Sequence, residues 1–401
     1  MLILSLSCNN IFMFSDFYLD FTYSRKINNS MAENDKLFPN SKINVRKSMI
    51  LMGGNASGKT TFGKLLCAIN NFVLGREVAE KNLNLFEAIY DKSKDANFTI
   101  EFVIDRIAFK VECVFNVSGI IREKITEHSI LASYNIKKLR DVLENEEKNV
   151  KIYTNDNLGI QDNKQNEKNI KPFFSKILKN PANEELYNKL SNNIGFHYLF
   201  SNFAEQSNET TINIPIDLFN SILPEIDNSI KKIVRMVPDD KTLKNNTYVI
   251  VFNNGDQLTI PDGDLKNANK SRLSHGTYEA LTFLNILEEI KARKKDIIFV
   301  DEKLPHLHSE LEAYLIKKAF LILRDSQMFF TSHNSELLDL NIPYNAFMLF
   351  KRTDEFNQAF FINNKFNKND RSLKTYYEND YFGVLPDYSN LDAYFEGEND
   401  E

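Results

Sequence analysis

The chain has 401 residues, 42% hydrophobic and 26% charged, a composition that supports a sizeable core and argues against wholesale disorder. A formal net charge of −6 argues against the broadly basic surface of a nucleic-acid coat protein and leaves room only for a local basic groove. Cys8, Cys67 and Cys113 are scattered without CxxC spacing, so they support neither a disulfide framework nor a zinc site and suit a reducing cytoplasm.

In chain order, residues 2–7 and 17–23 read as two strands rich in β-formers, joined by "CNNIFMFSD". The start "MLILSLSC" lacks the basic flank and length of a signal peptide, and no run of about 18 apolar residues suggests a membrane span. A polar stretch, 28–47, leads to the short apolar run "SMILM". Next comes "LMGGNASGKTT", which contains Gly53-x-x-x-x-Gly58-Lys59-Thr60, the spacing of a phosphate-binding loop. Glycine is scarce, at 13 residues, yet Gly53, Gly54 and Gly58 all fall in this loop. After it, "KTTFGKLLCAINNFVL" places Phe62, Leu65, Leu66, Ile69 and Val73 at helical spacing. Strand, glycine-rich loop and helix is the order the motif needs.

Residues 97–117 alternate apolar and polar and read as a hairpin or meander with its break near Asp105-Arg106. From 131 to 200 the chain turns polar and rich in Lys and Asn, with helical stretches "NIKKLRDVLENEEK" and "NEELYNKLSNN" around the loop-like "TNDNLGIQDNKQNEKN". "NTYVIVFNNGDQLTIP" reads as a hairpin around Asn254-Gly255. From 271 the pattern becomes helix, strand, helix, strand, with "DIIFVDE" and "QMFFTSHN" as buried strands. That alternation argues for an α/β sheet with parallel strands. The tail "FEGENDE" reads as solvated, and no internal repeat is present.

Four segments carry chemistry. The loop's glycines let backbone N–H groups turn around phosphate oxygens, and the helix after it adds its positive end. Lys59 then contacts the β and γ phosphates, and the Thr60 hydroxyl binds Mg2+. Asp301 ends a buried strand and is placed to hold Mg2+ through its water shell, with Glu302 next in line to orient or deprotonate an attacking water. Two acids at a strand end are common; their order behind a phosphate loop gives this pair its weight. His333 follows the neighbouring strand, from where an imidazole reaches a γ-phosphate. Finally, "LSHGT" (residues 273–277) precedes an amphipathic helix. There Thr277 reads as the cap, with Glu279 in the first turn and Ala280 breaking a capping box. Ser274 and Gly276 at a helix N-terminus also suit a γ-phosphate, and the two readings are compatible.

Taken together, the phosphate loop, "LSHGT", "VDE" and "TSHN" resemble the ABC-type ATPase heads, with the signature segment between the two Walker motifs. The details are similar to bacterial AAA-family ATP-binding proteins related to the RecF, SMC and OLD ATPases. They are Gly53-Gly54-Asn55-Ala56-Ser57-Gly58-Lys59, the turn "NNIFMFSD", "TSHNSELLDL" and the ending "YYENDYFGVLPD". The resemblance covers roughly 1–120 and 270–390. It implies ATP contacts from Gly53, Asn55, Ala56, Ser57, Gly58, Lys59, Thr60 and Thr61, Mg2+ at Thr60 and Asp301, and catalytic roles for Glu302 and His333. It also implies that two subunits sandwich ATP, so that Ser274 and Gly276 complete the site of a partner copy.

The expected fold class is therefore α/β: an ABC-type head with a RecA-like parallel core and an antiparallel β part, built from 1–130 and 246–401, with 131–245 as an inserted, mainly helical lobe. Three departures stand out. His275 replaces a small or acidic residue. "KLPHLHSE" keeps Leu307 and His308 of the family's I-D-x-x-L-H-P but not Lys303, Leu304 or Ser309. No Q-loop glutamine stands out, Gln161 and Gln165 being in the low-complexity loop. The resemblance further implies a cytoplasmic ATPase that forms at least a homodimer and serves a prokaryotic anti-phage system with a separate effector protein, since no TOPRIM nuclease follows. The alternative is a DNA-repair or chromosome-maintenance clamp, for which nucleic-acid contact stays open; a transporter subunit finds no support.

Overall fold

The computed structural model describes residues 1–24, 35–74, 84–145, 150–156, 175–200, 216–236, 247–261, 272–291, 296–302, 304, 307–323, 326–340, 342–364 and 372–386. Gln161, Gln165, Lys303 and the acidic tail lie outside them, as does most of "TNDNLGIQDNKQNEKN". In chain order the strands are β1 (Leu2–Asn9), β2 (Phe17–Asp20), β3 (Thr22–Tyr23), β4 (Asn44–Val45), β5 (Ser48–Met52), β6 (Ala96–Ile104), β7 (Ile107–Asn116), β8 (Gly119–Ser129), β9 (Lys151–Asp156), β10 (Gly195–Phe200), β11 (Ile230–Met236), β12 (Thr247–Phe252), β13 (Gln257–Ile260), β14 (Asp296–Asp301), β15 (Gln327–Thr331), β16 (Phe347–Arg352) and β17 (Asn357–Phe361). The helices are α1 (Lys59–Leu74), α2 (Ile136–Asn145), α3 (Lys176–Lys179), α4 (Glu184–Asn193), α5 (Ile216–Ile226), α6 (His275–Lys291), α7 (Ser309–Ile322) and α8 (Leu373–Glu378).

Two six-stranded sheets dominate. One is antiparallel, in the order β2-β1-β6-β7-β8-β9. The other has the order β10-β14-β15-β5-β16-β17 and is parallel except for β17 at one edge. The parallel sheet is a wall between two cores, because side chains alternate across a strand. Met49, Leu51, Ile297, Phe299 and Phe329 face the first core with α1 and the antiparallel sheet. Ile50, Met52, Ile298, Val300, Met328 and Phe330 face the second, with α5, α6, α7 and β11–β13. Both faces are covered, which is why "SMILM", "IIFV" and "MFF" read as unbroken apolar runs.

Several expectations hold in detail. The break at Asp105-Arg106 is a two-residue turn with both residues left-handed (φ 46° and 68°), the geometry a tight hairpin prefers. The Asn254-Gly255 hairpin is β12–β13, joined by β11 into a three-stranded meander. Residues 17–23 are two strands instead of one: β2 pairs with β1 and β3 with β4, and the Phe21 N–H between them donates to Leu4 O at 2.8 Å. The span 131–245 is not set apart from the head along its length. Its helices α2–α5 are there, but β9 extends the antiparallel sheet and β10 the parallel one.

β10 matters for the site because α1 lies on it. A Cβ on Gly63 would stand 2.2 Å from Tyr198 Oη and 2.6 Å from Phe299 Cε1, so only glycine permits this approach. The Tyr198 ring stacks on Phe299 at 4.9 Å, and its hydroxyl donates to Thr60 O at 3.2 Å. Gly63→Ala is therefore expected to destabilise the chain by about 1–3 kcal/mol, read by denaturant unfolding; wild-type stability would mean the helix does not seat here.

Candidate functional site

The phosphate loop leaves β5 at Gly53, whose φ of 141° and closeness to Phe350 O (2.3 Å from a built Cβ) exclude any side chain. Gly58, at φ 106°, would meet Asn357 Nδ2 at 2.6 Å. These two positions satisfy the motif's demand for glycine in physical terms. Asn55 and Ala56 form the exposed tip, and Ser57 Oγ is buried without a hydrogen-bond partner in the loop. Lys59, the first residue of α1, is 4% exposed and donates from Nζ to Gly53 O (2.9 Å) and Gly54 O (3.0 Å). Burial lowers its ammonium below the ordinary lysine value, and the charges of Glu302 and Asp301 oppose this. Thr60 and Thr61 follow, partly exposed.

Across the parallel sheet, Asp301 on β14 is level with Thr331 on β15, and Thr331 with Leu51 on β5. The acids and the loop thus share the carboxyl ends of the strands, where open α/β sheets bind ligands. Thr60 Oγ1 donates to Asp301 Oδ2 at 2.8 Å, and Thr331 Oγ1 to Asp301 Oδ1 at 2.9 Å. The same Thr331 hydroxyl accepts the Glu302 N–H at 2.9 Å. Burial raises the Asp301 carboxyl, against the hydrogen bonds from Thr60 and Thr331.

Glu302 adopts a left-handed backbone, φ 47°, which turns it off the strand line. Its Oε1 is 2.9 Å from His333 Nε2. That hydrogen bond holds the Glu302 carboxyl below the usual range, against partial burial. The turn carrying His333 is clamped on both sides by Glu312 of α7: Ser332 Oγ donates to it at 2.7 Å and Asn334 Nδ2 at 2.9 Å. Burial raises the Glu312 carboxyl, and these hydrogen bonds oppose the shift.

The signature segment differs from expectation at its cap. α6 starts at His275, so Ser274 is the N-cap, its Oγ accepting the Thr277 N–H at 3.0 Å. Glu279 falls in the second turn, and the first turn carries no acid. Thr277 instead donates its hydroxyl to Asp227 Oδ2 at 2.8 Å. Burial pushes the Asp227 carboxyl up, but hydrogen bonds from Ser229 and Thr277 outweigh it, and the group sits below the usual range. An ionised carboxylate only accepts, so Thr277 spends its proton on Asp227 and Ser274 Oγ donates to Thr277 Oγ1 at 2.7 Å. Ser274 is exposed and Gly276 half-buried. The hydrogen bonds of Ser274 stay within its own helix start, and Thr277 ties the segment to Asp227.

A model of the family described as "AAA domain, putative AbiEii toxin, Type IV TA system" matches residues 48–339. The chain belongs to this AAA-domain family. No curated protein matches it. Among solved structures, an SMC head bound to the C-winged helix domain of ScpA is similar at 12% identity and a TM-score of 0.45, over 90% of this chain and 97% of that one. The SMC head domain from Thermotoga maritima is similar at 11% identity and a TM-score of 0.38, over 90% and 99%. An SMC head with an extended coiled coil, bound to the C-terminal domain of ScpA derived from Pyrococcus furiosus, is similar at 11% identity and a TM-score of 0.46, over 90% and 97%.

In this AAA-domain chain the structure brings Thr60, Asp301, Glu302 and His333 into one hydrogen-bonded set through Thr331, keeps Lys59 on the loop carbonyls of Gly53 and Gly54, and leaves Ser274 and Gly276 outside it. The donors fit Mg2+: a threonine hydroxyl and a carboxylate lie 2.8 Å apart, and this ion takes one or two carboxylates plus phosphate and water oxygens. Among the described residues no group of three or more His, Cys, Asp and Glu forms a metal cage, which such a site does not require. Within "QMFFTSHN" nothing in the sequence sets Thr331 apart, and the structure makes it the bridge between Asp301 and Glu302. Asp227 carried no sequence signal, because it pairs with Thr277 across 50 residues.

Proposed function

We propose that this AAA-domain chain binds ATP with Mg2+ and hydrolyses it in a site shared between two copies. The observation that carries the reading is the bonded chain Thr60–Asp301–Thr331–Glu302–His333 at the strand ends behind the phosphate loop. Backbone N–H groups from Asn55 through Thr61 cradle the phosphates, and Lys59 moves its ammonium from the loop carbonyls to the β and γ oxygens. Mg2+ held at Thr60 and Asp301 supplies charge neutralisation on those oxygens. Glu302 orients the attacking water and accepts its proton. His333 holds the Glu302 carboxylate in place and, within reach of the γ-phosphate, reports its presence.

Ser274 and Gly276 stand at the N-terminus of a 17-residue helix, where N–H groups and the helix dipole favour an anion. We assign them to the γ-phosphate of a partner copy, which makes ATP the glue between two heads. Ser274→Arg is expected to abolish ATP-driven dimerisation by light scattering while leaving ATP affinity within about twofold, since the residue touches only the other copy's nucleotide. Dimerisation at wild-type strength would remove the segment from the shared site.

The ATPase head comprises 1–130 and 246–401, joined by β9 and β10 of the intervening span. Among the described residues no helix is long and apolar enough to cross a membrane, and we place the chain in the cytoplasm. The family description includes the words "putative AbiEii toxin" and "Type IV TA system". With that support we read the head dimer as sensor and scaffold of a prokaryotic anti-phage system, controlling a separate nuclease or toxin effector. Co-purification with the products of neighbouring genes tests this: a partner bearing nuclease or toxin signatures supports it. Tight ATP-dependent DNA binding without such a partner overturns it in favour of a repair clamp.

A further inference from the structure

Residues 372–386 follow the family match, which ends at residue 339, yet they are joined to both halves of the nucleotide site. The segment is anchored by Leu373, Tyr377, Phe382 and Val384 in the second core. Past α8 it turns at Asp380 (φ 51°) and Gly383 (φ 64°). Asp380 Oδ1 accepts the N–H groups of Val384 (2.7 Å) and Leu385 (2.9 Å), and this aims the Val384 carbonyl at the phosphate loop. The Gly54 N–H donates to that carbonyl at 3.0 Å. The Tyr377 hydroxyl faces the Gly53 N–H, and the Pro386 ring lies against Gly54.

At its other end the segment holds the short 3-10 turn Ser335–Asp339, which begins two residues after His333. Ser372 Oγ donates to Asp339 Oδ1 at 2.7 Å, Ser335 Oγ to Glu378 Oε1 at 2.8 Å, and Lys374 Nζ to Glu336 Oε1 at 2.7 Å. The peptides of Gly53 and Gly54 are therefore engaged on both edges. Their N–H groups point to Tyr377 and Val384, and their carbonyls receive the Lys59 ammonium. The tilt of those two peptides sets where Lys59 rests.

We propose that residues 372–386 are a positioning element of the nucleotide site, with Tyr377 and Val384 setting the phosphate loop from an anchor on the turn after His333. The inference rests on the ATP reading above. Its test is calorimetric titration of the full chain with ATP and Mg2+, with the melting temperature recorded in parallel. Asp380→Ala removes the acceptor that aims Val384 and is expected to raise the Kd for ATP about fivefold to tenfold, the size of one lost hydrogen bond. Asp380→Asn keeps both the acceptor and a residue tolerant of the left-handed turn, and should stay within about twofold of wild type. Tyr377→Phe keeps the buried ring, loses only the hydroxyl, and should raise Kd about twofold to fivefold.

Wild-type affinity in both Asp380→Ala and Tyr377→Phe overturns the inference and leaves the segment as packing alone. If Asp380→Ala does not fold, Tyr377→Phe decides by itself. Lys59→Met in the same titration separates the two failures. Undiminished ATP binding by Lys59→Met sinks the nucleotide reading itself; lost binding there, beside unaltered C-terminal variants, sinks only this inference.

Discussion

Glu302→Gln lowers ATP turnover by about 10²–10⁴-fold, the usual worth of a positioned general base, while ATP still binds. The amide keeps the size of the side chain, its contact with His333 and the backbone bond from Glu302 N to Thr331 Oγ1. What it loses is the capacity to take a proton. If hydrolysis releases the two heads, as proposed, the variant should accumulate as an ATP-bound dimer, visible by light scattering at nucleotide concentrations where the wild type turns over. A phosphate-release assay with unchanged turnover would remove Glu302 as the base, and the roles at the strand ends would have to be reassigned.

Lys59→Met is expected to weaken ATP binding by about 100-fold or more, since a charge-assisted bond to phosphate is among the strongest a site offers. Its effect on folding should be small. Lys59 is 4% exposed, and its ammonium rests on two loop carbonyls with no carboxylate in direct contact. Replacing a buried charge by an apolar side chain of similar length is often neutral or stabilising. Calorimetry and thermal unfolding on the same sample therefore separate the two quantities: affinity collapses and melting barely moves. A variant that loses both together would point to a structural role for the lysine.

The parts of this site that were legible in the sequence are those whose physics is local. The loop requires backbone conformations that glycine adopts freely, and Gly53 and Gly58 take them. "DIIFVDE" and "QMFFTSHN" announce themselves because a strand covered on both faces is apolar throughout and turns polar only at its functional end. The rest depends on partners distant in the chain. Ser274 and Thr277 are both capping residues by type, and it is the start of α6 at His275, with the Thr277 N–H on Ser274 Oγ and the Thr277 hydroxyl on Asp227, that decides between them. β10, "GFHYLF", is a short aromatic run inside a span rich in Lys and Asn, and its membership of the sheet shows only through its pairing with β14. The hairpin β16–β17 is equally silent in the sequence, although Asn357 on it packs against Gly58. "YYENDYFGVLPD" was recognisable as an ending without revealing that it reaches back more than 300 residues to the loop.

The left-handed backbone at Glu302 has a consequence for how the activity persists over generations. A glutamate in that conformation carries steric strain that glycine escapes and asparagine largely tolerates. With Glu302 as the proposed base, the residue that catalyses and the residue that folds most comfortably at this position are different ones. Selection for stability alone would replace Glu302, so on the proposed reading continued use of the ATPase is what keeps it there. Descendants of this chain that hold nucleotide as a static scaffold are expected to carry Gly or Asn at position 302, with the rest of the head intact.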